Sequence, residues 1–403
     1  MLVILGGDVK IVHLSTSPTG GAGIAARRLN NLLRSNSIDS YFVTLSKVFY
    51  KPDLGETTIN RSILRKLFGG VVSKFNKSLA QQTYFSLTSI SAISFRELRK
   101  FGDSKTTIFH IHNWFNLLSL RTIEKLFKEG YHLVFTLHDQ RLFTGGCHYS
   151  LQCEGYISNC HKCPFLKPPI NLVTKINLRR LNKMIFHYQK QITIIAPSKW
   201  ILNTAKSSNI LSNSNIQQIS NIHYGFKSTS EPFSSLRIGI EKPIKFGVAS
   251  MDKSSLIKGG DLVVNLTRVI TSNNLEVKIL SLFDYSESKI DPMKFWGDID
   301  YLLVLSRADN SPNVIHEAKI NGIPVIGANV GGISELLNPE YDYLIEMNDR
   351  EVDQILNIIE KIFTSKKKLD PELIQKNYSQ FISDELSRFL LVYNSISIIV
   401  NKE

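Results

Sequence analysis

The chain has 403 residues, 43% of them hydrophobic and 21% charged, with a formal net charge of +13. That length is too great for one ordinary core and calls for two domains, and the composition excludes disordered and fibrous classes. The positive balance favours an anionic partner, whereas the chain has no run of 18 apolar residues to imply a membrane span and no signal-peptide pattern in "MLVILGGDVK".

Residues 9–15, VKIVHLS, alternate and are rich in β-formers, which predicts a buried strand. PTGGAGIAARRLNNLLRS follows, a glycine turn opening an amphipathic helix with Ala25, Leu29, Leu32 and Leu33 on one face. SYFVTLS (40–46) is the next strand, and this β–Gly-loop–α–β start signals a parallel α/β sheet. Gly20 and Gly21 would let backbone N–H groups approach an anion at a helix N-terminus, although a turn needed only for packing would look the same.

Residues 61–85 depart from this plan. Leu64, Leu67, Phe68, Val71, Val72 and Phe75 recur at helical spacing, and Arg61, Arg65, Lys66, Lys74 and Lys77 take other faces. That is the pattern of a helix lying on an anionic membrane surface, or of a core-facing helix with a solvated basic side.

TIFHIHN (107–113), HLVFTLHD (132–139) and ITIIAPS (192–198) are further strands. His112, His138 and Ser198 fall at their carboxyl ends, where open α/β sheets bind ligands. Between the last two lies GGCHYSLQCEGYISNCHKCP, which holds all four cysteines: Cys147, Cys153, Cys160 and Cys163. The spacing suits a closed, structural four-thiolate zinc site, with His148 or His161 as substitute ligands. Reduced thiols or a disulfide pair are the other readings, and an iron–sulfur cluster would lack its usual spacing. With no secretory signal, a reducing compartment is the default, which disfavours a disulfide framework.

The pattern breaks over 225–243, the expected linker. A second α/β run follows: IKFGVAS (244–250), a helix from Gly260, EVKILSLF (276–283) and YLLVLS (301–306). Lys258 precedes Gly259 and Gly260 at that helix start, an unfavourable place for a cation unless an anion sits there. In ADNSPNVIHEAKINGIPVIGANVGGISELL, Ser311 and Pro312 predict a helix start and Asn321–Gly322 its stop. Glu317 lies on that helix among Val314, Ile315 and Ala318, so its carboxylate needs donors such as sugar hydroxyls, and Asp309 precedes it in a loop. One closing helix is expected over SQFISDELSRFLLVYNSISIIV.

Taken together, PTGGAGIAARRL, HIHN, TLHDQRLFTGGCHYSLQCEGYISNCHKCP, APSKW, KGG and NSPNVIHEAKINGIPVIGANVGGISELL resemble family 4 glycosyltransferases, retaining enzymes of the GT-B fold, and most closely their bacterial exopolysaccharide, capsule and O-antigen branch. The resemblance spans nearly the whole chain. It implies two Rossmann-like α/β domains: residues 1–228 for the acceptor, with the cysteine-rich insertion at 145–165, then a linker over 229–243. Residues 244–377 would take the nucleotide sugar, and 378–403 would cross back to the first domain.

By the same resemblance Glu317 holds the ribose, Asp309 stands near the donor sugar and Lys258 neutralises the diphosphate. His138 faces the donor sugar, and Gly20, Gly21, Gly331 and Gly332 form loops by the phosphates. Ser198, Lys253, Asn313 and Val314 complete the donor set. No cofactor is needed for transfer, and the co-substrate is a UDP- or GDP-sugar. The acceptor is a lipid-linked glycan met at the inner face of the plasma membrane through residues 61–77.

The chain also departs from the pattern. Asp309 replaces a glutamate, Asp252 stands where an arginine is usual with Lys253 as the nearest substitute, and residues 284–300 are too few for the usual extra helix and strand. A degenerate GT-B protein that binds sugar or a partner without catalysis is therefore the alternative. Nucleic acid is not an expected partner, since no RNA- or DNA-binding motif is present.

Overall fold

The computed structural model describes residues 9–45, 52–58, 71, 85–86, 91–168, 170–223, 243–249, 255–287, 292–364, 370–382 and 384–400. The basic segment 61–77 (Val71 excepted), Lys253 and nearly all of the expected linker lie outside them. The chain divides into two compact units, residues 1–225 with 384–403, and residues 226–383.

The first unit is built on a seven-stranded sheet: β1 Lys10–Ser15, β2 Ser40–Thr44, β3 Glu56–Thr58, β4 Thr107–Asn113, β5 Leu133–Thr136, β6 Ile192–Ala196 and β7 Ile216–Gln218. The order is β3-β2-β1-β4-β5-β6-β7, and every pairing is parallel. Alternation sorts each strand between two faces. Val12, Leu14, Phe109, Ile111, Leu133 and Phe135 enter one core. Ile11, Ile108 and Val134 enter the other, beneath Leu29 and Leu33 of the Gly21–Ser35 helix and Phe389 and Tyr393 of the Glu385–Val400 helix. Both faces are covered, which is why these strands read as near-continuous apolar runs.

The second unit carries β8 Ile244–Val248, β9 Val277–Ser281, β10 Tyr301–Val304, β11 Val325–Ala328 and β12 Tyr343–Ile345, in the order β12-β11-β10-β8-β9 and again parallel. Between β9 and β10 stand two short helices, Leu282–Glu287 and Pro292–Asp298, and no strand is found among the described residues there. The Asn313–Ile320 helix is pinned by a buried ion pair between Lys319 and Asp342. Asp342 also accepts the Val325 and Asn338 N–H groups, each at 2.7 Å. Burial pulls the Lys319 ammonium down to about 8 and pushes the Asp342 carboxyl up. Stranding either charge would cost about 3–5 kcal/mol, so the pair holds this helix in one position against the strands beside it.

The edge strands β3, β7 and β12 go beyond the sequence reading, since three residues give no readable alternation. Two expectations are revised. The single closing helix is two, Pro371–Ile382 and Glu385–Val400. Tyr378 on the first of these bonds His316 in the second unit, whereas the second helix packs on the first unit's sheet, so the chain passes from one unit to the other between them. The helix after Ser311 has Pro312 as its N-cap, in extended conformation and without a side-chain cap bond. The Ser311 hydroxyl instead meets His316 Nε2 at 3.2 Å, because that ring is fully buried and needs a partner at each nitrogen.

Candidate functional site

In the second unit the loops after β8, β10 and β11 converge. Gly259 sits at φ 72° as the N-cap of the Gly260–Ser272 helix, and a Cβ there would lie 2.0 Å from the Leu305 carbonyl oxygen. This close approach requires glycine and sets Lys258 beside the β10 exit. Lys258 Nζ meets Asp309 Oδ2 at 2.5 Å. The anion that the cation called for is thus present, supplied by the chain itself. Asp309 is fixed from the other side: its carbonyl accepts the Gly332 N–H at 3.1 Å, and a Cβ on Gly331 (φ 59°) would come within 1.8 Å of it.

Arg307, two residues before Asp309, forks onto both carboxylate oxygens of Asp261 at 2.6 and 2.7 Å, tying the same two loops together. The carboxylate lies in the first helical turn, where the dipole favours it. Four residues singled out from sequence, Lys258, Asp309, Gly331 and Gly332, therefore meet. Glu317 and Asn313 lie on the next helix, 8% and 7% exposed, and Val314 is half-buried. Asn321 and Gly322 (φ 69°) close that helix.

In the first unit His138 follows β5, and a row of histidines leads to it. His13 on β1 stands in register with His110 on β4, and His112 lies two residues on, so all three share one face. His13 Nδ1 meets His112 Nε2 at 3.0 Å, and His112 Nδ1 meets His138 Nε2 at 3.0 Å. His110 bonds Tyr393 Oη and Thr136 Oγ1, both at 2.7 Å. Burial pulls His13 down to about 3 and His138 to about 4, and holds His110 and His112 well below the ordinary value, with the neighbouring rings adding to the effect on the last two. Period-two spacing in HIHN was the signal for this row, but only the strand pairing shows that His13 joins it.

Beside His112 a pocket is lined by Asn113, Trp114, Phe115, Asp139, Arg141 and His148. Sequence reasoning had not assembled it. Burial would raise the Asp139 carboxyl, but His148, at 2.6 Å from Nδ1, and the Arg141 N–H hold it below the usual range. Arg141 is buried, with its guanidinium 5.0 Å from the Trp114 ring centroid. Aromatic faces beside fixed charged groups are the chemistry that polyhydroxylated ligands need.

Other expected residues are placed differently. Ser198 is 4% exposed, and its hydroxyl caps the Lys199–Ser207 helix through the Ile201 N–H at 3.2 Å. Gly20 (φ 79°) and Gly21 open the Gly21–Ser35 helix and are exposed.

The four cysteines are unbridged. Cys147 and Cys163 share a sulfur hydrogen bond, which lowers one thiol of the pair, Cys163, and raises the other, Cys147. Gly155 and Gly145 donate N–H groups to the Cys153 and Cys160 sulfurs at 3.4 and 3.3 Å. Among the described residues, the only three or more His, Cys, Asp or Glu donors within 4.8 Å of one another are those of His13, His110 and His112. Both His148 ring nitrogens are taken, by Asp139 and by Ser86 at 2.7 Å, so His148 is not placed as a substitute ligand.

Two parallel sheets with their loops gathered at the carboxyl ends define the fold of the GT-B glycosyltransferases. The solved structures share it. Anabaena Alr3699/HepE in complex with UDP superposes with a TM-score of 0.56 at 17% identity, covering 95% of this chain and 100% of that one. Sucrose-phosphate synthase from Thermosynechococcus elongatus gives 0.58 at 14% identity, covering 98% of each chain. At such identities the likeness speaks to the fold. Among curated proteins, the "Putative colanic acid biosynthesis glycosyl transferase WcaC" of Escherichia coli (strain K12) is 27% identical over 252 residues, 57% of this chain. The match spans 61% of that relative's length. No family model matches the chain.

The histidine row makes stability depend on pH. Each ring is neutral when folded but takes up a proton near pH 6.5 once unfolded, so its contribution is complete above that pH and is lost as pH falls. Four such rings give a slope of roughly 5 kcal/mol per pH unit at most. Urea unfolding of the first unit is expected to keep its midpoint from pH 8 to 7 and to lose it steeply between pH 6.5 and 5, above the main carboxylate range. An unchanged midpoint at pH 5 would contradict the buried, neutral assignment.

Proposed function

We propose that the chain is a retaining, metal-independent glycosyltransferase of family 4. It would move a sugar from a nucleoside-diphosphate donor to a lipid-linked oligosaccharide in surface-polysaccharide synthesis, at the cytoplasmic face of the membrane. The observation that carries this reading is the Lys258–Asp309 pair, set where three loops meet at strand ends. The Lys258 side chain is 34% exposed and that of Asp309 12%, so the ammonium can be reached from solvent while the carboxylate is largely covered.

An incoming diphosphate takes the place of the Asp309 carboxylate on Lys258, and Asp309 turns to the donor-sugar hydroxyls. Lys258 and the N-terminal end of the Gly260–Ser272 helix then face the charge that develops on the leaving diphosphate. Glu317 accepts from the ribose hydroxyls, with Asn313, Val314 and Lys253 around the nucleotide. Gly331 and Gly332 let the backbone approach it. His138, with Ser198 at the neighbouring strand end and Gly20 and Gly21 after β1, faces the donor sugar, and the Trp114 pocket receives the acceptor. The similarity to WcaC, named for colanic acid biosynthesis, supports a polysaccharide role, and the neighbour solved with UDP and UDP-glucose makes uridine donors the first to test.

A second reading, binding without turnover, is favoured by the two short helices that alone join β9 to β10, which leave fewer elements to hold a base. A panel of UDP- and GDP-sugars with lipid-linked acceptor in anionic vesicles separates the two. Transfer with retained anomeric configuration is expected, falling at least about 100-fold in Glu317→Ala. Binding with no turnover, or full activity in Glu317→Ala, would sink the enzyme reading. In the same assay, charge reversal of the basic residues in 61–77 is expected to abolish vesicle association; unchanged association removes the membrane role.

We also propose that Cys147, Cys153, Cys160 and Cys163 hold a structural zinc ion. The support is the N–H···S bonds to Cys153 and Cys160 and the left-handed φ at Cys160 and Lys162. Elemental analysis of protein purified without chelator is expected to give close to one zinc per chain, lost in Cys160→Ser. Absence of metal, or a disulfide found by mass spectrometry, overturns it.

A further inference from the structure

The histidines of the first unit form a connected chain that the proposed transfer does not by itself require. His13, fully buried, bonds His112, and His112 bonds His138, the half-buried ring at the end of the row. We propose that His13 and His112 are positioning residues that lock His138 in the Nδ1–H tautomer, so that it presents a hydrogen-bond donor to its ligand. The inference rests on the reading in which His138 faces the donor sugar.

The argument is an account of protons. Three neutral imidazoles bring three N–H groups and make two ring-to-ring bonds, so the bonds must run in one direction or the other. If donation runs from His138 inward, His138 and His112 donate from Nε2, and His13 is left with an Nε2–H. That nitrogen is buried without any hydrogen-bond partner. A stranded N–H donor is among the rarest groups in protein interiors. If donation runs outward, His13 donates from Nδ1 to His112, and His112 donates from Nδ1 to His138 Nε2. The inner end then holds only a bare lone pair, and the proton of His138 must sit on Nδ1. Among the described residues no protein group bonds that nitrogen, so the N–H is left to meet solvent or ligand.

A metal ion is the competing explanation, since donor atoms of His13, His110 and His112 lie within 4.8 Å of one another. Five of their six ring nitrogens are already hydrogen-bonded, to Tyr393, Thr136, His138 and one another, and only His13 Nε2 is not. Ligation would have to break several of these bonds among buried rings. The row is a finished hydrogen-bond network, and its open end is His138.

The ring stays neutral through the physiological range, because burial draws it down to about 4 against the opposing pull of Asp139. His138 therefore acts as a fixed donor rather than as a base. The consequence for ligand choice is a requirement for an acceptor oxygen, such as a sugar hydroxyl or a developing alkoxide, at the strand end.

The test is the tautomer itself, read by long-range nitrogen–proton correlation NMR on histidine-labelled full-length protein, with His138→Gln used to assign the signal. The wild type is expected to show a protonated Nδ1 and a bare Nε2 on His138. In His112→Leu the ring loses its donor and is expected to revert toward the Nε2–H form preferred by free imidazole. Transfer by that variant is expected to fall roughly 10- to 100-fold in kcat with little change in KM, as for loss of an orienting partner. A protonated Nε2 in the wild type, metal-shifted ring nitrogens, or a His138 tautomer unmoved in folded His112→Leu would each overturn the proposal. If His112→Leu does not fold, the wild-type spectrum alone decides. Absence of transfer with a correctly protonated Nδ1 would instead refute the catalytic reading and leave the locked tautomer standing.

Discussion

In a wholly parallel sheet each strand must be followed by a connection that returns the chain to the same starting edge. All strand exits therefore open on one edge, and whatever chemistry the chain performs collects there. Both sheets of this protein obey that constraint. It is why residues as distant in sequence as Lys258, Asp309 and Gly331 meet, and why His13, His112 and His138 form one row. The glycines at 259 and 331 follow from it too: three loops leaving adjacent strands come so close that a Cβ would strike a carbonyl oxygen.

Polar groups are built into these cores in two ways. The second unit uses a charged pair, Lys319 with Asp342, satisfied by further backbone donors and next to the helix that carries Glu317. The first unit uses neutral rings, which bond one another and, through His110, Tyr393 of the Glu385–Val400 helix. Each device is costly to break and cheap to keep once every partner is present. The row's buried atom without a partner, His13 Nε2, lies at the end farthest from His138 along the chain of bonds.

Much of this was legible in the sequence where a pattern repeats or a rare residue recurs. Long strands such as β1 and β4 declare themselves by apolar runs, and the glycines beside Lys258 and after β11 mark loops under steric demand. Asn321 and Gly322 announce a helix stop that the structure keeps. The rest depended on contacts between distant segments. Nothing in KGG or ADN says that Lys258 takes Asp309 as its counter-charge. Ser311 reads as a helix cap until His316 is seen to compete for its hydroxyl. The Trp114 pocket joins the end of β4 to residues 139–148, and no local period links them. Short edge strands such as β12 owe their form to the neighbour they pair with rather than to their own residues.

The central claim is that Lys258 is a diphosphate-binding cation held in reserve by Asp309. Calorimetric titration of the full-length protein and of Lys258→Met with UDP and with uridine tests it most directly. The account predicts that the variant loses about tenfold or more in affinity for UDP, about 1.4 kcal/mol, and keeps its affinity for uridine. Equal UDP binding by both proteins, or an equal loss for UDP and uridine, would contradict it.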